Sequence, residues 1–191
     1  MTVTPSFVGQ KLVVLHRPSD AATRFLRRCE LLGLRAEARW KPLKSDEAFD
    51  LVAVDADEGW DGLLPWAPRE RPVPLIALLG SEAPGRIAWA LDQGADALIA
   101  KPIVDSAIFP TLVMAARRFA EGRKTAERIA RLEERVRLRP LVHAAVQHYM
   151  AAEHCGESEA YGRLRSAAMR SRTTVEQAAA ALLASPRGKA G

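Results

Sequence analysis

Four arginines fall between positions 163 and 172: Arg163, Arg165, Arg170 and Arg172. A guanidinium is planar, permanently charged and suited to paired contacts with phosphate or carboxylate, so this stretch is where the chain would meet an anion. Spacings of seven place Arg163 with Arg170 on one helical face and Arg165 with Arg172 on another, so the four do not serve one anion equally. The alternative reading of each is an ordinary solvated surface charge. The histidines assemble less: His143, His148 and His154 are five and six residues apart, which puts them on different faces of a helix and forms no metal site. Cys29 and Cys155 lie in no metal-ligand spacing and make no disulfide framework, as expected in a reducing compartment. Asp55 and Lys101 each end a short apolar run, Leu51–Val54 and Ala97–Ala100. No G-x-S-x-G, phosphate-binding Walker loop, H-E-x-x-H or dinucleotide glycine fingerprint occurs, so neither an enzyme nor a cofactor is expected.

The elements that must position these residues change character along the chain. Up to about residue 104, strand and helix signals alternate. Lys11–His16 reads as a strand buried on both faces, and Ser19 caps a helix with apolar residues at Ala22, Phe25, Leu26, Cys29 and Leu32. Gly33 stands at its left-handed stop. Arg35–Trp40 reads as an edge strand, Leu51–Val54 and Leu75–Leu79 as buried strands, and Ala97–Ala100 as a last strand ending at Lys101-Pro102. Ile87–Gln93 is a helix closed by Gly94. Pro65, Pro68 and Pro72 leave no room for a regular helix over 57–72. Five strands alternating with helices predict a doubly wound α/β domain with a mostly parallel, flavodoxin-like sheet.

From Asp105 the pattern is helical. Leu112, Ala115, Phe119, Gly122, Ala126 and Ile129 follow 3-4 spacing, and Leu132 and Val136 continue it after a one-step slip, a narrow seam suited to a parallel coiled-coil dimer. Packing back onto its own domain is credible for the first two turns only. Pro140 is expected to interrupt this helix. Three short amphipathic helices then follow, the last opened by a Thr173/Glu176 capping box and stopped by Pro186. The expected division is an α/β domain over 1–116, a coiled-coil linker over 117–139, a three-helix bundle over 140–186 and a tail over 187–191.

Composition agrees with a packed protein. The 191 residues are 48% hydrophobic and 27% charged, and the net charge of +5 is unevenly placed. Residues 1–116 carry 13 basic against 15 acidic side chains, residues 117–139 carry 9 against 4, and residues 140–191 carry 6 against 4. The whole excess lies behind the α/β domain, as suits a regulatory front and an anion-meeting back. No apolar run approaches the ~20 residues of a membrane span, and Met1–Gln10 lacks the pattern of a signal peptide. A cytoplasmic setting without a membrane is expected.

Asp50–Asp55 and Gly94–Pro102 resemble the third and fifth strands of two-component receiver domains. The resemblance makes Asp55 the match of the phosphoacceptor and Lys101 the match of its paired lysine. Where that family carries two Mg²⁺-binding acids, this chain has His16-Arg17-Pro18-Ser19, and Leu79 takes the hydroxyl position, with Ser81 close by. Mg²⁺ needs carboxylate oxygens, so a degenerate pocket without metal is expected, with Asp55 and Lys101 as a structural ion pair: a pseudoreceiver. Ala145, Met150, Ala160-Tyr161, Leu164-Arg165, Ala168-Met169, Arg172 and Ala178…Leu182-Leu183 resemble the ANTAR domain of AmiR/NasR-type antitermination regulators. That resemblance implies a coiled-coil dimer, through Leu112, Phe119, Ile129, Leu132 and Val136, that binds leader mRNA hairpins and prevents termination. Independence from phosphorylation, and control by an amide-sensing negative regulator of periplasmic-binding-protein fold, follow for the AmiR branch. Arg163, Arg165, Arg170, Arg172 and His148 are the expected RNA-binding residues, while core packing is favoured over base stacking for Tyr161. The chain departs from the family's Ala-Lys-Gly run, having Val146 and Gln147 where lysine and glycine are usual. The alternative reading is therefore a protein-interaction module whose bundle has lost RNA binding.

Overall fold

The computed structural model describes residues 5–68 and 70–185. Pro186 and the expected tail lie outside the described residues. The element order is β1 (Lys11–Leu15), α1 (Asp20–Leu31), β2 (Arg35–Arg39), β3 (Leu51–Asp55), β4 (Leu75–Leu79), α2 (Pro84–Asp92), β5 (Ala97–Ala100), α3 (Asp105–Glu153), α4 (Glu157–Ser171) and α5 (Val175–Ala184). Two compact units result, one up to Arg123 and one from Lys124 onward.

In the first unit the five strands pair in parallel in the order β2-β1-β3-β4-β5. Alternate side chains of each strand point to opposite faces. Leu12 and Val14 therefore join Phe25, Cys29, Ile76, Leu78 and Ile108 in one core cluster, while Val13 and Leu15 join Val52, Val54, Leu75, Ala77 and Ala90 in another. Burial in the first of these pushes the Cys29 thiol up to about 12, with a smaller contribution from Glu30, which leaves it protonated. The Ser19 hydroxyl caps α1 by accepting from the Ala22 N–H at 3.1 Å, and Gly33 leaves α1 at φ 88°.

The edge strand β2 is mostly exposed and charged. Its Glu37 pairs with Lys11, Arg39 with Glu47, and the Arg35 guanidinium donates to the Gly9 carbonyl. Residues 57–68 and 70–72 form turns and bends rather than a helix, as their prolines require, and Leu63 and Leu64 anchor the segment in the core.

Three expectations change in the helical half. First, α3 runs unbroken through Pro140 for 49 residues. An interior proline loses one backbone hydrogen bond and costs ~3 kcal/mol. The following Leu141, Val142, Ala145, Val146, Tyr149 and Met150 all pack into the bundle core, which offsets that cost by holding the chain helical. Second, Leu112 is fully buried among the first unit's core residues. The apolar side of α3 is consumed there by the sheet, so Leu112 is no part of a free seam. Third, α5 is capped one residue later than expected, by Thr174 and Gln177 in a reciprocal capping box. The Thr173 N–H is already bonded to the Ala168 carbonyl, within the turn that ends α4. Leu164, Ala160 and Ala179 fill the centre of the second unit.

Candidate functional site

The carboxyl ends of parallel strands gather polar groups, and here β1, β3 and β5 deliver His16, Asp55 and Lys101 to one place. Asp55 and His16 are buried. Lys101 Nζ stands 2.8 Å from Asp55 Oδ1 and 2.7 Å from Asp57 Oδ2, bridging two carboxylates. His16 Nε2 lies 3.1 Å from Asp55 Oδ2 and 3.5 Å from Lys101 Nζ. Its Nδ1 is 2.6 Å from the Arg17 carbonyl. The Asp57 N–H also donates to Asp55 Oδ1 at 3.0 Å, and Asp57 accepts from the Gly80 and Ser81 N–H groups at 2.7 and 2.9 Å.

Every oxygen of Asp55 thus has a protein partner, and the imidazole stands against the carboxylate where the family's metal would need room and further acids. The residues present do not fit Mg²⁺. Sequence reasoning paired Asp55 with Lys101 but missed Asp57, although an acid two residues beyond a strand end was the available signal.

Burial would lower the Lys101 pKa, but hydrogen bonds to Asp55 and Asp57 outweigh it and hold the ammonium above its ordinary value. Burial would raise Asp57, yet Lys101 and the two N–H donors hold it below the usual carboxylate range. The Lys101 contribution is complete below its ordinary pKa and is lost as pH rises through the raised one. The Asp57 contribution is complete above its ordinary pKa and is lost as pH falls through the lowered one. Urea unfolding followed by tryptophan fluorescence is expected to give stability falling on both flanks, as pH rises above 10.5 and as it falls below 3.8. Asp96, raised by burial despite the Leu75 N–H and Arg71, runs opposite and softens the acid flank.

The second unit places the expected arginines unequally. Arg163 is held by Glu153 at 2.7 Å and Glu159 at 3.1 Å, which raise its pKa, Glu159 foremost. Arg165, Arg170 and Arg172 are exposed and enter no ion pair among the described residues. Arg170 shares its surface hollow with Glu153, Glu159 and Arg163. His148 is half-buried, its ring 6.3 Å from that of Tyr149. Tyr161 is 45% exposed rather than a core residue: Ala160 takes the core position and turns Tyr161 outward. Val146 is buried in the bundle core, while Gln147 is exposed. Ile129, Leu132 and Val136 are exposed along α3, and Phe119 is half-buried beneath the Arg71 guanidinium at 5.5 Å. Among the described residues no cluster of candidate metal ligands occurs, and no helix is long and apolar enough to cross a membrane.

A parallel sheet of receiver type with a modified pocket, followed by a basic helical bundle, defines a receiver-like regulator with a helical output module. The family comparisons agree. Residues 10–116 match the model of the AmiR N-terminal domain, and residues 130–183 match that of the ANTAR domain. The chain belongs to the ANTAR family of transcriptional regulators, with an AmiR-type N-terminal domain. It is 30% identical over 138 residues to the transcriptional regulatory protein PdtaR of Mycobacterium tuberculosis, in strain H37Rv and in strain CDC 1551, covering 70% of this chain and 67% of that one. Similar solved structures include the first receiver domain of ShkA in complex with c-di-GMP (19% identity, 58% of this chain, 95% of that one, TM-score 0.45). A signal receiver domain from Pseudomonas fluorescens Pf-5 is similar at 17% identity, 59% of this chain, 98% of that one and TM-score 0.48. The family is one of transcriptional regulators.

Proposed function

We propose that this chain is a dimeric, cytoplasmic, RNA-binding antiterminator that binds hairpins in leader mRNA, acts without phosphorylation and is controlled by a ligand-sensing partner protein. The observation that carries the reading is the second unit itself: a match to the ANTAR domain in which α4 and its C-cap carry Arg165, Arg170 and Arg172, exposed and in no ion pair among the described residues. Guanidiniums in such a setting pair with phosphates and stack on loop bases. Independence from phosphorylation is supported by Asp55, whose oxygens are engaged by Lys101, His16 and the Asp57 N–H. Dimerisation through residues 117–139 is supported by the exposed apolar row Ile129, Leu132 and Val136. The functional division is an input domain over 1–116, a linker over 117–139 and an RNA-binding module over 140–186. For the partner, an amide sensor of periplasmic-binding-protein fold is the family's example.

Loss of RNA binding is not favoured. Val146, which stands where a lysine is usual, removes one positive charge but packs in the bundle core, and Arg165, Arg170 and Arg172 remain exposed on the surface.

The test is a gel-shift titration of the full chain against the leader RNA of its own operon at 50 and 200 mM salt. With these three arginines as phosphate contacts, affinity is expected to fall by roughly twenty-fold or more between these conditions. Mg²⁺ with acetyl phosphate is expected to leave binding unchanged, and sedimentation of the same sample to give a dimer. A flat salt response with a folded protein would sink the RNA reading.

A further inference from the structure

The helix α4 presents two basic faces of different character. One carries Arg163 and Arg170 beside Glu153 and Glu159, and its charge is largely answered within the protein. The other carries Tyr161, Arg165 and Met169 at successive intervals of four, with Arg172 closing the helix on the same side in the left-handed conformation, φ 54°. Tyr161 is 45% exposed and Met169 71% exposed, whereas Leu164, the other large apolar side chain of this helix, is buried. Tyr161 also lines a groove of about 710 Å³ with Leu132, Val136, Arg139, Val142 and His143 of α3, so its ring stands beside the apolar row proposed for the dimer seam. Glu176 in that groove is paired with Arg135 at 3.1 Å, and Glu157 at the start of α4 is its second acid.

We infer that the Tyr161–Arg165–Met169–Arg172 row is the RNA-contacting face of the bundle, with Tyr161 stacking on one unpaired loop base and Arg165 and Arg172 meeting the phosphates beside it. This rests on the RNA reading above and deepens it, by choosing one face of α4 and one base-stacking residue. An aromatic ring with guanidiniums at helical spacing is how single-stranded nucleic acid is held: every base offers a π-face to the ring, and the cations track the backbone. The ring's exposure has no use in the bundle core, and the row's two free charges match a polyanion. Arg163, held by two carboxylates, is excluded from the contact.

The test uses the full chain and fluorescein-labelled leader RNA of its own operon, with the fold of each variant checked by circular dichroism. Tyr161 is exposed, so Tyr161→Ala leaves the fold intact; it is expected to weaken binding about ten-fold or more. Tyr161→Phe keeps the ring and is expected to stay within about three-fold of wild type, because stacking and not the hydroxyl is used. Arg165→Ala is expected to weaken binding and reduce the salt slope by about one, whereas Arg163→Ala leaves both unchanged. In RNAs carrying single abasic sites across the loop, one position is expected to abolish the difference between wild type and Tyr161→Ala. If wild type binds and Tyr161→Ala binds equally well, or Arg163→Ala costs as much as Arg165→Ala, this face assignment is overturned while the RNA reading stands. If the folded wild type does not bind RNA, both fall, and the row becomes a protein-docking surface.

Discussion

Lys101→Met is expected to destabilise the first unit by about 3–5 kcal/mol, enough to unfold a marginal domain near physiological temperature. The methionine preserves the stem but removes the ammonium that bridges Asp55 and Asp57. Asp55 is then a buried carboxylate left with His16 and one backbone N–H, and an uncompensated buried charge is far more costly than a paired one is stabilising. The readout is specific, because Trp40, Trp60, Trp66 and Trp89 all lie in the first unit. Tryptophan fluorescence during urea unfolding follows that unit alone, and its midpoint should fall steeply. Asp55→Asn combined with Lys101→Met removes both charges, so the pair should cost less than the sum of the two singles, with a coupling of about 1–3 kcal/mol. Strict additivity would mean that the network does not act as one.

Leu164→Ala is expected to melt the second unit selectively. Leu164 is fully buried at its centre, among Ala145, Ala160 and Ala179, small residues that cannot move in to fill a void. Such a truncation costs about 3 kcal/mol or more, close to the whole stability of a bundle this small. Far-UV circular dichroism should show helix loss at a lower denaturant concentration than the tryptophan transition, which should not move. RNA affinity should disappear with the helix. Coincident transitions at the wild-type midpoint would show that the site collapses around the missing atoms.

The α/β half was legible because β1, β3, β4 and β5 are short, nearly unbroken apolar runs and α1 carries a signal at each end, Ser19 and Gly33. The helical half was read with the right periodicity but the wrong punctuation. Pro140 has a strong local preference to end a helix, and only the packing of six later residues reverses it, which no local window reveals. Leu112 obeys the 3-4 spacing of a seam and of a helix lying on a sheet equally well, so periodicity could not tell one partner from the other. Tyr161 stands next to Ala160, and a one-residue rotation decides which of them faces inward. The site divides the same way. Asp55 and Lys101 sit at strand ends that pattern can locate, whereas the second acid on Lys101 and the pairing of Arg163 depend on side chains brought together from separate elements.

The edge strand β2 bears on how the protein behaves when crowded. An open sheet edge offers unpaired N–H and C=O groups to any passing strand, and a flat apolar edge seeds aggregation. Arg35, Glu37 and Arg39 line this one with alternating charge, each already engaged by the chain's own Gly9 carbonyl, Lys11 or Glu47. A foreign strand would have to desolvate those groups and break their contacts before gaining a ladder. At the opposite edge β5 is only four residues long and stops at Lys101-Pro102, too short a template for stable addition. Both borders of the sheet are closed to growth, so concentrated solutions of the folded protein should stay free of fibrils.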